Sequence, residues 1–193
     1  MTEQTTVFLI AVSLMFSILL TTGAVYLRRA NKLSREGSLD ALLARLVLVD
    51  RHKLAQIVAD LEGASETEDF DEPYARHPAG DPLEPWQLWE LAGGIEGLEA
   101  MAANCEVLID LACYVQEWYP EALPVAEELR LNAREIQWHL GRLRGAQSRG
   151  HLQSAFPEYA QRAVATYYGM TQHVLALYEA SGVPGWTRLQ AAL

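Results

Sequence analysis

Residues 95–118, IEGLEAMAANCEVLIDLACYVQEW, bring an apolar side chain round at every third or fourth position. Leu98, Met101, Ala102, Cys105, Leu108, Ile109 and Ala112 share one face, and Tyr119 continues it. A helix turns about 100° per residue, so this spacing predicts an amphipathic helix with one buried side. Pro120 stops it and Pro124 stands near the next start. Residues 125–144 repeat the pattern, with Val125, Leu129, Ala133, Ile136, Leu140 and Leu143 inward. A turn this short makes the two helices an antiparallel hairpin.

The same reading extends in both directions. Residues 145–150 read as a loop, and Phe156-Pro157-Glu158 opens a third long helix running to about Ala180. Its apolar arc covers about half the circumference, which predicts contact on several sides. Gly182 and Pro184 end it, and Trp186–Leu193 reads as a short C-terminal helix. Toward the N-terminus, Pro85 takes the first position of a helix that Gly93-Gly94 interrupts. Residues 63–85, GASETEDFDEPYARHPAGDPLEP, combine an acid run with four prolines. They read as a solvated linker, with an acidic docking segment as the sharper alternative. Before them, Leu39, Leu42, Leu43, Leu46 and Val49, then Leu54, Ile57, Val58 and Leu61, predict two short helices or one kinked helix ending near Gly63. Ser38 would cap the first. A break at Asp50, with Asp50 capping the second, keeps its carboxylate off the apolar stripe. No strand pattern occurs, so the expected class is all-α.

Val7–Leu27, VFLIAVSLMFSILLTTGAVYL, has no charge in 21 residues, and Arg28, Arg29, Lys32 and Arg35 follow it. At ~1.5 Å per residue it would reach about 30 Å, the thickness of a bilayer's hydrocarbon core. Ser13, Ser17, Thr21 and Thr22 can return their hydroxyl bonds to the helix backbone. The acidic N-terminus, the length of the run and the lack of a small-residue cleavage site favour an uncleaved anchor over a signal peptide. The basic flank predicts an N-terminus outside and a cytoplasmic C-terminal domain on the cell (inner) membrane, single-pass. The expected organisation is therefore a short extracytoplasmic tip (1–6), a transmembrane helix (7–27), a basic flank with short amphipathic helices (28–62), the acidic linker (63–85) and an antiparallel helical bundle (86–193).

Charge narrows the partners. Residues 37–193 hold 11 Lys and Arg against 23 Asp and Glu, which argues against nucleic acid. Thirteen arginines against two lysines fit a GC-rich, prokaryotic coding bias. Cys105 and Cys113, eight apart on one helix, stand about 12 Å from each other and cannot bridge. Free thiols suit a reducing compartment. Cys105 falls on the apolar stripe, as an inert thiol would.

Several polar groups resemble chemistry. Glu99, Glu106, Asp110 and Glu117 form one acidic stripe. The hairpin register would set Asp110 level with about residue 132, pairing it with Arg130 and Arg134, and Glu106 with Arg134, as a structural salt-bridge ladder. Glu135 and His139 are spaced i,i+4, not as the Glu-x-x-His of di-iron bundles, and His173 would stand about 15 Å away along its helix. No catalytic, cofactor or metal constellation is therefore expected. Asn104 would bond His139 across the helix interface.

Aromatics off the main stripes are the better pointers. Leu131 and Trp138, with Trp86, Trp89 and Trp118, form a candidate interaction surface for whatever the 39–62 helices and the Trp186 segment leave uncovered. The expected function is a membrane-anchored interaction or scaffolding protein, held to the bilayer through Val7–Leu27 and joined to a protein partner or a second copy of itself. A helical enzyme or ligand-binding bundle with a polar pocket near Asn104, Asn132 and His139 is the alternative.

Overall fold

The computed structural model describes residues 12–17, 19–23, 39–66, 83–183 and 185–193. The chain divides into two compact units, Met1–Ser38 and Leu39–Leu193. In the first, residues 12–17 and 19–23 are helical and every one of them is exposed. Ser17 Oγ donates to the Ser13 carbonyl at 2.9 Å, and Thr21 Oγ1 donates to the Ser17 carbonyl. Among the described residues no helix is long and apolar enough to cross a membrane. The expected span Val7–Leu27 lies outside the described residues at 7–11, 18 and 24–27, as do the basic flank, Ser38 and residues 67–82 of the acidic stretch.

The second unit is all-α, with no strand among its described residues. Its helices are α1 (Leu39–Leu43), α2 (Arg51–Glu66), α3 (Pro85–Ala92), α4 (Gly94–Val115), α5 (Ala122–Ser148), α6 (Leu152–Ser181) and α7 (Trp186–Ala192). Helices α4, α5 and α6 pack on one another, and α6 also touches α2, α3 and α7. This central place explains its wide apolar arc. Ala160, Ala163, Val164, Tyr167, Met170, Val174, Leu177 and Tyr178 are all buried. Each such side chain removed from water contributes about 1.5–3 kcal/mol for the larger ones, so α6 carries much of the core.

Local signals account for most helix ends. Asp50 Oδ1 accepts from the His52 and Lys53 amides at 3.0 and 3.4 Å, capping α2. Pro85 occupies the first position of α3, and the Glu84 amide donates to Gln87 Oε1 at 2.8 Å. Gly93 and Gly94 hold φ of 73° and 62°, where a Cβ is disfavoured. Gly97 is equally constrained, because a Cβ there would overlap the Ala92 carbonyl oxygen. These small residues let α4 fold back tightly on α3.

Helix ends shift by up to three residues elsewhere, and three differences from expectation bear on the packing. Helix α5 runs through Gly145 to Ser148, because Leu143 and Ala146 are buried and continue the inward stripe. That burial outweighs the ~1 kcal/mol that a helical glycine costs. Helix α6 begins at Leu152, one turn before Pro157, whose missing N–H costs one early bond. Buried Phe156, its ring 4.4 Å from that of Trp89, holds this turn in place. The segment after α1 is no helix beyond a turn: residues 46–50 run as an irregular strap between α1 and α2.

Candidate interaction surface

The strap depends on one buried side chain. Asn104 on α4 accepts from the Val47 amide through Oδ1 at 2.8 Å. Its Nδ2 donates to the Val47 carbonyl at 2.8 Å and to the Tyr167 hydroxyl at 3.0 Å. One amide side chain thus binds both backbone groups of a single residue. Burial pushes the Tyr167 phenol up to about 12, partly offset by the Asn104 bond. The bond to His139 expected from the sequence does not form: Asn104 is taken up by Val47 and Tyr167. The strap and α6 reach it first, which the hairpin register alone could not reveal.

His139 is equally buried, yet neither ring nitrogen has a hydrogen-bond partner. Glu135 Oε1 comes to 3.5 Å from Nε2, longer than an ordinary N–H···O hydrogen bond. The imidazole lies among rings: Trp138 at 5.0 Å and Tyr159 at 5.8 Å between centroids. Asn132 is half-buried. An open groove of ≈ 550 Å³ lies between the strap, the start of α2, Tyr168 and the C-terminal residues, but Asn104, Asn132 and His139 do not line it.

The salt-bridge ladder is corrected too. Asp110 pairs with Arg45 at 2.9 Å, Arg130 with Glu127, and Glu99 with Arg144 at 2.6 Å. Arg130 Nη2 also reaches Cys113 Sγ at 3.3 Å. Glu106 and Arg134 are exposed and enter no ion pair among the described residues. The hairpin register itself is close: Glu99 opposite Arg144 and Cys113 opposite Arg130 set residue 133 level with Asp110. The rotational side differs, because α1 packs on α4 and brings Arg45 over Asp110. His173 pairs with Glu128 at 3.3 Å, away from His139. Neither Cys105 nor Cys113 forms a disulfide, and burial pushes the Cys105 thiol up to about 12, away from nucleophilic character.

The five aromatic and aliphatic candidates are all exposed, but not in one patch. Trp86 and Trp89 stand on α3, and Trp118 sits in the α4–α5 turn against Tyr114, ring centroids 4.9 Å apart. Leu131 and Trp138 share the outward ridge of α5, 62 % and 56 % exposed. Trp138 is sixteen residues into α5, about 24 Å along the axis from the turn. The helices expected to cover this ridge pack elsewhere, α2 on α6 and α7 on α6.

Around Trp138 the surface is organised. Its ring meets Tyr159 of α6 edge-on at 5.9 Å. The Arg142 guanidinium lies 5.7 Å from both ring centroids and donates to the Tyr159 hydroxyl at 3.3 Å. Cation–π contacts of this kind hold a flat aromatic face in place at little entropic cost on binding. Sequence reasoning missed Tyr159 and Arg142; their signal was the i,i+4 spacing of Trp138 and Arg142. Compared with known proteins, the chain matches no family model, no curated protein and no solved structure.

Proposed function

We propose that this chain is a single-pass membrane protein whose bundle, on the cytoplasmic side, presents the Leu131–Trp138 ridge of α5 to a protein partner. One observation carries the anchor. Leu14, Met15, Phe16, Leu19 and Leu20 stand 58–63 % exposed on a helical segment whose Ser17 and Thr21 hydroxyls bond back to its own carbonyls. Apolar groups around a helix with internally satisfied hydroxyls suit lipid rather than water. Val7–Leu27 is the stretch that would span the bilayer, and the Arg/Lys flank orients it.

The ridge supports the second half of the reading. Trp, Tyr and Arg dominate interface energetics, and here all three meet on an exposed, preorganised helix face. The ligand-binding alternative has no comparable support, since the Asn104 amide is fully engaged within the fold. The anchor is tested by alkaline carbonate extraction of membranes from cells expressing the full chain. Retention in the pellet is expected, and release to the supernatant rejects it. Topology is read by labelling single cysteines placed at positions 4 and 190 in intact cells; only the first should react. For the ridge, Leu131→Glu and Trp138→Glu should abolish the partners recovered from detergent extracts. Unchanged partners with an unaltered helical spectrum would remove this face as the site.

A further inference from the structure

We infer that the partner seated on this ridge is a second copy of the same chain, docked antiparallel along α5 about a two-fold axis. The inference rests on the reading of α5 as the interaction surface and names its occupant. Its ground is a charge pattern that complements itself. On one flank of the ridge, Glu121, Glu128, Glu135, Arg142 and Arg149 follow at seven-residue intervals, acidic in the first half and basic in the second. All five are exposed. Seven residues are almost two helical turns, so these groups form one line alongside Leu131 and Trp138.

A two-fold interface brings residue i of one copy to residue j of the other, and j to i. Setting Leu131 of each copy against Trp138 of the other fixes the register. In that register Glu128 comes within one residue of Arg142 and Glu121 within one residue of Arg149, each pair occurring twice. In a parallel two-fold pair this flank would lie on opposite sides of the seam in the two copies and could not pair with itself. Arg142 and Arg149 have no carboxylate partner among the described residues, although residues 37–193 carry twice as many acids as bases. Glu128, bonded to His173, keeps a side chain 52 % exposed. Gly141 and Gly145, next to the ridge, leave room for close approach of a second helix; a Cβ on Gly141 would meet nothing within 4 Å. The register has one unfavourable element. Glu135 meets its own counterpart near the axis.

The test is sedimentation equilibrium of the full chain in detergent at several concentrations up to about 100 µM, with far-UV circular dichroism as the check on folding. Wild-type protein is expected to dimerise. Trp138→Glu raises the dissociation constant about 30-fold or more, as loss of a central interface tryptophan does. Glu121→Arg or Arg149→Glu alone raises it about tenfold, because each spoils two symmetry-related pairs. Glu121→Arg with Arg149→Glu in one chain restores it, and Glu135→Gln tightens it. A dimer unaffected by Trp138→Glu, or single reversals that the double variant fails to rescue, would overturn the two-fold α5 register. A wild-type chain monomeric throughout overturns self-association alone. The surface reading then stands or falls separately, on whether Leu131→Glu and Trp138→Glu abolish recovery of other partners.

Discussion

Asn104 and His139 stand level with each other across the α4–α5 hairpin, both about as buried as the leucines around them. Their circumstances are opposite. Asn104 makes three hydrogen bonds, two to the backbone of a residue 57 positions earlier. His139 makes none and lies under the aromatic cover of the outward ridge. A buried polar group with every bond made holds a particular arrangement, whereas one without partners costs roughly 1–3 kcal/mol and holds nothing. The Asn104 side of the bundle is where the fold is secured. The His139 side is where the fold gives up stability next to its most exposed apolar surface.

The largest effect should come from ionising the Asn104 side. Cys105 and Tyr167 are raised to about 12 by burial, and Tyr178 is raised as well. The folded state therefore keeps these protons while the unfolded chain releases them from about pH 9 upward. Above that pH the unfolded state binds fewer protons, so stability falls as pH rises. The contribution is complete below pH 9 and lost as pH approaches about 12. Cys105 alone accounts for roughly 4 kcal/mol of this, at ~1.4 kcal/mol per pKa unit. Denaturant titrations at pH 8 and pH 11 should show a steep loss, smaller in Cys105→Ala than in the parent. Equal losses in both would mean that Cys105 is not the group being titrated.

Asn104→Leu comes next. It leaves the Tyr167 hydroxyl without its partner in the core and releases the strap, at a cost of about 3 kcal/mol. For a unit of this size that is a fall of about 6–12 °C in Tm. Hydrogen exchange gives the sharper reading, since protection at Val47 should disappear while that in α5 remains. His139→Leu should move stability the other way, or leave it unchanged, within about 1 kcal/mol. It removes two unpaired ring nitrogens and replaces them with a side chain of similar volume. A loss above ~2 kcal/mol would show that the imidazole has a partner, and the contrast with Asn104 would fall.

The contrast also marks what a sequence can convey. Periodicity carried the long helices α4, α5 and α6, and Asp50, Pro85 and Pro120 marked the start of α2, the start of α3 and the α4–α5 turn because their effects are local. The hairpin register came within one residue for the same reason: it depends on one short turn. The strap was illegible because residues 46–50 keep a helical spacing of apolar side chains while their backbone answers to Asn104. Likewise, Asp60 accepts from the Leu83 amide at 2.9 Å and from Gln161 at 3.0 Å, joining α2 to α6 and to the start of α3. Nothing near Asp60 in sequence indicates either partner. Of the candidate surface, the exposure of Leu131 and Trp138 was legible as residues left off the core stripe. The ring support from Tyr159 was not, because it comes from another helix; the i,i+4 spacing of Trp138 and Arg142 on α5 was the part the sequence shows.

The smallest prediction concerns which neighbour Asp110 answers to. Both Arg45 and Arg134 are arginines that a helical wheel allows near it, but only Arg45 reaches it, at 2.9 Å with the carboxylate 19 % exposed. A partly exposed pair of this kind contributes up to ~1 kcal/mol. Double-mutant cycles in which each residue is changed to alanine should give a coupling of about 0.5 kcal/mol between Asp110 and Arg45, and zero between Asp110 and Arg134. Because Arg45 lies between α1 and the strap, its coupling should also shrink in an Asn104→Leu background, where the strap no longer holds Arg45 in place. Coupling that survives that change would place Arg45 under the control of α1 alone. Coupling to Arg134 instead would restore the interhelical ladder and detach the strap from the acidic stripe of α4.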